Sequence, residues 1–298
     1  MSNAHWHVLG AGAMGCLMAA RLHAAGGKVI VLLREAQANQ SVQLVLEEGG
    51  ARREITLPGS SAKDAGQISH LLVTTKAYDV EPAVRSIVHR LDGQSRVLLL
   101  VNGLGYAQPL LRDFPWLQLF YGTTTQGAYR TAPYHVYHAG SGQTRIGRPE
   151  HPAAPAWMSL WQQALPDCRW EADIAQALWL KLAINCAINP LTALHNCRNG
   201  DLATREELAR EVAGLCEEIA ELTRAQGYIE LAADLHQRVR TVIKATAENH
   251  SSMLQDVRGG RSTEIDYITG HLLRVAAQCA VDMPRNQVLL KEVLALGH

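Results

Sequence analysis

The chain has 298 residues, of which 47% are hydrophobic and 19% charged, an ordinary composition for a folded protein that is long enough for two domains. Its 28 lysines and arginines are matched by 28 aspartates and glutamates, so the basic bias of a nucleic-acid-binding protein is missing and we expect no nucleic-acid partner. The sequence has no apolar run of about 18 residues and no signal-peptide pattern, so we expect neither a membrane partner nor export.

Cysteine and histidine spacing excludes two common kinds of stabilising site. The six cysteines are scattered without C-x-x-C spacing, and most stand in apolar patterns, where a reduced cysteine behaves as a small hydrophobe. The histidines lack the spacing of metal ligands. We therefore expect a cytoplasmic protein that contains neither disulfide bonds nor a bound metal.

The chain opens with the pattern of a dinucleotide-binding unit: a strand over 5–9, a helix over 16–25 and a strand over 28–33. The turn between the first strand and the helix has G-x-G-x-x-G spacing and reads Gly10-Ala11-Gly12-Ala13-Met14-Gly15. The first glycine permits a tight turn, the second lets the backbone approach a pyrophosphate, and the third lets the helix lie close to the strand. We predict that residues 10–15 bind a pyrophosphate at the N-terminus of the helix.

The end of the second strand predicts which dinucleotide is bound. An acidic residue here would hold the ribose 2′-hydroxyl of NAD, whereas an arginine would pair with the 2′-phosphate of NADP. Both types occur, as Arg34-Glu35, and Arg34 directly follows the apolar run. This order favours NADPH/NADP⁺; the alternative is that Arg34 is a solvated loop residue.

Two later strands end in polar residues. The buried runs over 70–76 and 96–101 are followed or ended by Lys76 and Asn102. Because open α/β sheets bind ligands outside the carboxyl ends of their strands, both residues are predicted to lie at the ligand-binding edge. Each taken singly could instead be a capping or surface residue.

The remaining elements of the first half are predicted from weaker sequence patterns. Alternation over 42–57 predicts an inserted hairpin around Glu48-Gly49-Gly50. Short strands within 118–147 are predicted to form the antiparallel edge of the same sheet, and a helix over 156–165 and a short strand at 170–171 follow.

From Asp173 onward the pattern is helical. The predicted helices are one that contains Lys181 and is broken at Pro190, and others over 205–226, 232–257, 264–280 (capped by Ser262 and Thr263) and 286–296. The predicted fold class is therefore an α/β, Rossmann-type dinucleotide-binding domain with added antiparallel strands over 1–170, followed by an all-α domain over 171–298.

The helix of Lys181 combines apolar sides with one polar stripe. Lys181, Asn185 and Asn189 recur every fourth residue, so they stand above one another on one face of the helix. Polar groups in such a setting cost free energy unless a partner satisfies them. A bound polar ligand is one such partner; the alternative is that Lys181 extends to the surface along its aliphatic stem.

These motifs together resemble the ketopantoate reductase (2-dehydropantoate 2-reductase) family along nearly the whole chain. The matching segments are Gly10 to Gly15, Val73-Thr74-Thr75-Lys76-Ala77, Asn102-Gly103-Leu104-Gly105, Gly122-Thr123-Thr124-Thr125, Lys181 to Ala193, Asn199-Gly200, Glu248 to Asp256 and Thr263 to Gly270. The resemblance implies an enzyme that reduces 2-dehydropantoate to (R)-pantoate with NADPH, in pantothenate and coenzyme A synthesis.

The resemblance also implies roles for particular residues. Lys181 is the general acid, and Glu264 lies near both cofactor and substrate. The cofactor-binding residues it implies are Gly10, Ala11, Gly12, Ala13, Met14, Gly15, Arg34, Lys76, Asn102, Ala128 and Glu264. The substrate-binding residues it implies are Lys181, Asn185, Asn189, Asn199, Asn249, His250, Ser251 and Ser252. From position alone, Glu264 would read as a residue that favours a helix dipole in the first turn, and His250 as structural.

Two other functions stay open at this point. One is the NADP-dependent reduction of another branched 2-oxo acid, and the other is a non-catalytic NADP(H)-binding regulator. A proton donor such as Lys181 argues against a regulator, which has no need of one. The expected partner is a small 2-oxo acid, and the sequence is compatible with a monomer or a homodimer.

Overall fold

The computed structural model describes residues 5–33 and 41–296, and they form two compact units. The first unit contains the described residues up to Val101 together with Tyr106–Ala177. The second contains Asn102–Gly105 and the described residues from Leu178 onward. The short Asn102–Gly105 turn thus groups with the helical half of the chain.

A mixed sheet forms the centre of the first unit. Its described strands are β1 (His5–Leu9), β2 (Lys28–Leu33), β3 (Ser41–Glu48), β4 (Ala51–Ser61), β5 (His70–Val73), β6 (Arg96–Leu100), β7 (Gln118–Thr124), β8 (Gly127–Ala132), β9 (His135–Gly140), β10 (Thr144–Gly147) and β11 (Cys168–Trp170). The strand order is β11-β10-β7-β6-β5-β1-β2-β4-β3-β9-β8. Within it, β4-β2-β1-β5-β6-β7 are parallel neighbours and have the order of a dinucleotide-binding fold.

The α-helices that lie wholly within the described part of the first unit are α1 (Ala13–Ala24), α2 (Val80–Ile87), α3 (Gln108–Asp113) and α4 (Met158–Ala164). The core is apolar and contains the completely buried Trp6 and Trp161, whose ring centroids are 5.4 Å apart in an edge-to-face arrangement. Only two residues separate β7 from β8, which lie far apart in the strand order, so the sheet curls until β8 and β9 contact α1. Helix α1 is therefore enclosed within its unit.

The structure confirms the first strand–turn–helix–strand unit and the inserted hairpin, in which β3 and β4 pair antiparallel across Gly49 and Gly50. The hairpin is more than an insertion, because the last residues of β4 also pair parallel with β2. The prediction of one antiparallel edge over 118–147 is wrong. Strand β7 is parallel to β6, β10 is antiparallel to β7, and the β8–β9 hairpin lies at the other end of the strand order.

The second unit is helical. Its helices are α5 (Ile174–Leu194, which begins in the first unit), α6 (Asp201–Thr204), α7 (Glu206–Ala225), α8 (Ile229–Ala245), α9 (Ser252–Arg258), α10 (Thr269–Gln278) and α11 (Pro284–Ala295), with a single 3₁₀ turn at Ile265–Tyr267. Apolar residues of α5, α7, α8 and α10 form one continuous core. This core is what a periodic apolar pattern with a 3.6-residue repeat predicts.

Helix α5 does not break at Pro190, contrary to the sequence prediction. It runs on to Leu194, and Pro190, Leu191 and Thr192 are all buried. A proline inside a helix removes one backbone hydrogen bond, and here packing of the last turn into the core offsets that loss. Helix α5 has the length and apolar composition of a membrane span, but 72% of its apolar window is buried inside the protein, as in a core helix.

Two other helix boundaries differ from the prediction. The helix predicted over 232–257 is two helices, α8 and α9, separated by residues 246–251. The helix predicted from Glu264 is a 3₁₀ turn followed by α10, and neither Glu264 nor Thr263 makes a side-chain capping hydrogen bond to it. Composition alone does not show these breaks, because the polar residues at 246–252 are compatible with an exposed helix face.

The N-terminus of α11 offers a test of how the helical unit is held together. The Glu218 carboxylate accepts hydrogen bonds from the backbone N–H groups of Arg285 and Asn286 at 2.9 and 3.1 Å and from Asn286 Nδ2 at 2.8 Å. We expect Glu218→Ala to lower the free energy of unfolding by about 2 kcal/mol, because it leaves the fully buried Asn286 amide unpaired. Glu217→Ala, at the exposed neighbouring position, should change stability by less than about 0.5 kcal/mol in the same urea titration. Equal losses in the two variants would contradict the capping role.

Candidate functional site

The glycine turn is shaped by close backbone contacts. Gly10 has φ +105°, and a Cβ there would lie 2.7 Å from the backbone nitrogen of Thr75. A Cβ on Gly15 would lie 2.0 Å from Gly10 O, whereas one on Gly12 would meet no atom within 4 Å. Gly10 and Gly15 are therefore required by the fold itself, whereas the fold leaves open space at Gly12.

The turn also presents hydrogen-bond donors. Gly12 precedes α1 without a side-chain cap, and the first N–H groups of a helix have no acceptor within it. Thr74 Oγ1 donates to Gly10 O at 2.7 Å, which fixes the turn against the end of β5. Open space over Gly12 beside uncapped helix N–H groups fits the pyrophosphate of a dinucleotide.

The carboxyl end of β5, which pairs with β1, borders this turn. Lys76 follows β5 at the entry to a 3₁₀ turn, Ala77–Asp79, and is half-buried. Thr75 Oγ1 is buried with no hydrogen-bond partner among the residues that the structure describes. Ala128 lies in β8, shortly after β7 ends at Thr124. Arg34 lies outside the described residues.

Asn102 belongs to the second unit, where its turn packs on the segment that follows Glu264. Leu104 N donates to Tyr267 O at 2.8 Å. Gly103 has φ +75°, and a Cβ there would lie 2.5 Å from the same carbonyl oxygen. The turn that begins with Asn102 and the 3₁₀ turn that begins after Glu264 are thereby held together.

Lys181 and Glu264 are two oppositely charged residues of the second unit that interact electrostatically. Lys181 lies on α5, and Glu264 is only 5% exposed. Removal of the ammonium from water lowers the pKa of Lys181 from 10.5 to about 8, and the negative charge of Glu264 acts in the opposite direction. The pair therefore provides an ammonium that can release its proton close to neutral pH.

The two asparagines on the Lys181 stripe are available to a ligand. Asn189 is 8% exposed and Asn185 is half-buried. No side chain or backbone group in the described part of the chain is hydrogen-bonded to either amide. Because α5 continues through Pro190, Asn189 keeps its place on the stripe. Two amides with unused donors and acceptors thus stand on the same face as the ammonium.

The remaining predicted substrate residues lie around the start of α9. Asn199 N donates to Asn249 O at 3.0 Å, and the buried Asn199 Oδ1 has no partner within the described ranges. Ser251 caps α9 by accepting from Leu254 N at 3.1 Å. Ser252 and Asn249 are exposed. Burial and the positive charges of neighbouring arginines lower the pKa of His250.

Thr192 is a residue that the sequence reasoning missed. It is fully buried, and its Oγ1 lies 2.7 Å from Ser251 Oγ and 2.9 Å from Asn189 O. It therefore links the polar stripe of α5 to the cap of α9. Its position three residues after Asn189 is the signal that could have identified it.

The described cysteines form no disulfide, and no group of three His, Cys, Asp or Glu side chains within residues 5–33 and 41–296 could hold a metal ion. The polar groups of the two units instead suit two kinds of organic ligand. The first unit offers backbone donors to a diphosphate, and the second offers an ammonium and amides to a small oxygen-rich molecule.

Comparison with known proteins gives matches over both units. The family model described as "Ketopantoate reductase PanE/ApbA" matches residues 6–151, and "Ketopantoate reductase PanE/ApbA C terminal" matches residues 173–296. A 2-dehydropantoate 2-reductase of Yersinia pestis is 39% identical over 287 residues, 94% of this chain and 90% of its own.

Solved structures of similar fold cover nearly the whole chain. A PanE/ApbA family ketopantoate reductase of Ralstonia eutropha JMP134 has a TM-score of 0.85 at 26% identity and covers 98% of each chain. A D-mandelate dehydrogenase in complex with NADH and anilino(oxo)acetate has a TM-score of 0.88 at 23% identity, also with 98% coverage of each chain, and shares the fold.

The glycine turn yields a matched pair of variants. Gly15→Ala should lower the free energy of unfolding by more than about 2 kcal/mol, because its Cβ would overlap Gly10 O. Gly12→Ala should leave stability within about 0.5 kcal/mol of the parent protein and weaken NADPH binding at least about tenfold, since its φ of −77° suits alanine and its Cβ would fill ligand space. Thermal denaturation and fluorescence titration measure the two effects. Normal NADPH binding by Gly12→Ala would contradict a pyrophosphate site here.

The Lys181–Glu264 pair predicts a titration that can be observed directly. In ¹³Cε-lysine NMR spectra, Lys181 should titrate near pH 8, and Glu264→Gln should shift the titration to lower pH, because the carboxylate raises the pKa. The folded protein binds fewer protons here than the unfolded chain between about pH 8 and 10.5, so this group makes stability rise with pH across that window. A Lys181 pKa near 10.5 would show that the ammonium is solvated.

Proposed function

Because the chain belongs to the ketopantoate reductase family, we propose that it reduces 2-dehydropantoate to (R)-pantoate with NADPH, in pantothenate and coenzyme A synthesis. The observation that carries the proposal is the half-buried Lys181, whose pKa is lowered to about 8, on one stripe with two unpaired asparagine amides. A carbonyl reductase needs a proton donor of this kind and a neutral hydrogen-bonding surface for its substrate.

The dinucleotide supplies the hydride, and the residues of the chain hold it. In this proposal the backbone of residues 10–15 binds the pyrophosphate, and Lys76, Asn102 and Ala128 complete the cofactor site. Arg34 binds the 2′-phosphate of NADPH, which would distinguish it from NADH. The open space over Gly12 and the uncapped start of α1 support the first of these roles.

Lys181 acts in the proposal as the general acid. As hydride adds to C2 of the oxo acid, negative charge develops on the carbonyl oxygen, and the Nζ–H of Lys181 donates a hydrogen bond and then a proton to it. The neutral amine that remains regains a proton from solvent. Glu264 keeps Lys181 protonated before the reaction, because its carboxylate raises the pKa of the ammonium.

The asparagines bind the substrate in this proposal. Asn185 and Asn189 donate through their Nδ2 groups to the carboxylate or hydroxyl of the oxo acid without adding charge. Asn199, Asn249, His250, Ser251 and Ser252 form the rest of the substrate site. Asn199 Oδ1 supports this grouping, since it is buried without a partner in the described part of the chain.

The assay that tests the proposal follows NADPH absorbance at 340 nm with 2-dehydropantoate. Lys181→Ala should lower kcat at least about 100-fold, because general acid catalysis contributes about 10²–10⁴-fold. Lys244→Ala, on the exposed side of α8, should retain full activity. The alkaline limb of kcat/KM should follow the Lys181 ionisation near pH 8 and move to lower pH in Glu264→Gln. Full activity in Lys181→Ala would disprove its role.

A substrate panel separates the competing functions. If another branched 2-oxo acid gives a higher kcat/KM than 2-dehydropantoate, the substrate assignment is wrong. The proposed reaction, reduction of a 2-oxo acid by NADPH, would then still hold. If NADPH binds but no oxo acid oxidises it, the protein is a dinucleotide-binding regulator. The ratio of kcat/KM for NADPH and NADH tests the assignment of Arg34.

A further inference from the structure

A partly buried polar network in the first unit joins His138 to Arg21, Glu48 and Gln126. We propose that His138 is a positioning residue for dinucleotide binding, which acts by holding the Gln126–Ala128 segment at the carboxyl end of β7 in place relative to α1. This inference rests on the proposed function only in that the ligand is a nicotinamide dinucleotide.

The network joins three elements through one imidazole. His138, in β9, is 6% exposed. Its Nδ1 lies 2.6 Å from Glu48 Oε1, at the end of β3, and 3.2 Å from the guanidinium of Arg21, in the last turn of α1. Arg21 and Glu48 are also hydrogen-bonded to each other. On the other side of the ring, His138 Nε2 lies 2.8 Å from Gln126 Oε1.

The hydrogen bonds of Gln126 fix which of its side-chain atoms faces His138. Gln126 Nε2 donates to Gly142 O at 2.5 Å, so its Oε1 faces His138 as an acceptor, and His138 Nε2 must be the donor. On the opposite side of the ring, Nδ1 lies 2.6 Å from the Glu48 carboxylate. Both ring nitrogens of His138 therefore have a polar partner, one on each side of the ring.

Gln126 lies where this fold binds its ligand. It is one of the two residues between β7 and β8, directly outside the carboxyl end of a parallel strand, where open α/β sheets bind ligands. Ala128, two residues later, pairs with His138 in the β8–β9 ladder. The imidazole therefore holds the side chain of Gln126, and the backbone of the same residue, His138, pairs with the backbone of Ala128.

The other end of the network is the phosphate-binding helix. Arg21 lies on α1, whose N-terminal turn is the predicted pyrophosphate site, and α1 contacts both β8 and β9. Burial alone would raise the pKa of Glu48, but hydrogen bonds from Arg21 and His138 lower it, so the carboxylate stays charged between these two partners. A rigid α1 and the loop after β7 are thus fixed to each other by charged hydrogen bonds rather than by apolar packing alone.

The experiment compares two amide replacements of the same ring. In His138→Gln the amide nitrogen can replace Nε2 and keep the bond to Gln126, whereas in His138→Asn it can replace Nδ1 and keep only the bond to Glu48. Fluorescence titration with NADPH should give a Kd about three- to tenfold higher for His138→Asn and within about twofold of the parent protein for His138→Gln. Gln126→Leu should match His138→Asn, and the double variant should be no weaker than either single one.

Kinetics separate positioning from general damage to the fold. In His138→Asn the KM for NADPH should rise by the same factor as Kd, while kcat at saturating NADPH and the KM for the oxo acid stay within about twofold. The matched control is His135→Asn, which alters the neighbouring contact between His135 Nε2 and Glu47 Oε1, at 3.2 Å, and should leave NADPH binding unchanged.

Three results would overturn the inference, and a fourth would count against the proposed function alone. Unchanged NADPH binding in His138→Asn would overturn it, and so would equal losses in His138→Gln and His138→Asn that follow their melting temperatures. Failure of the parent protein to bind NADPH would overturn both this inference and the proposed function. Normal NADPH binding without turnover of 2-dehydropantoate would count against the proposed function alone, because the titration needs no oxo acid.

Discussion

The arrangement of polar groups in the helical unit depends on one constraint, the free-energy cost of removing the Lys181 ammonium from water. Desolvation lowers the pKa of Lys181 to about 8, and without a nearby anion the group would be a neutral amine over more of the physiological range. The Glu264 carboxylate opposes that shift, and its own burial requires a cation in return. The two residues are therefore mutually dependent, although 82 positions separate 181 from 264.

The backbone around Glu264 leaves the carboxylate side chain available for this interaction with Lys181. Glu264 stands at the start of a 3₁₀ turn that it does not cap, so its side chain is not committed to helix termination. The turn is held instead by Leu104 N, which donates to Tyr267 O, and Gly103 permits the close approach. Part of the Asn102 turn thus supports the segment that carries Glu264, which gives a physical reason for its grouping with the helical unit.

The sequence predicted those features that depend on local periodicity or on steric need. The glycine turn was predictable because Gly10 and Gly15 are required by backbone contacts that any strand–turn–helix unit of this kind makes. The Lys181 stripe was predictable because a four-residue repeat fixes a helix face whatever the tertiary structure. The position of the β8–β9 hairpin and the continuity of α5 through Pro190 were not, since both depend on long-range packing that outweighs local propensity. For the same reason the hydrogen bonds of Thr192 to Ser251 and of His138 to Glu48 could not be predicted, because each joins residues that are distant in sequence.

Helix α5 combines apolar sides that pack into the core with one polar stripe that is available for binding. Its apolar sides are fixed by the core of the helical unit, and this packing holds the helix even where Pro190 removes a backbone hydrogen bond. Because the core fixes the helix, the stripe of Lys181, Asn185 and Asn189 does not have to contribute to folding, and its amides can stay unpaired within the described structure. Neither amide is among the buried polar atoms without a partner in the described residues, so water can reach both, and a ligand that replaces this water can form the same hydrogen bonds. The unpaired amides thus support a binding role for the stripe, and the charge of Lys181 suggests that the ligand is one on which negative charge develops.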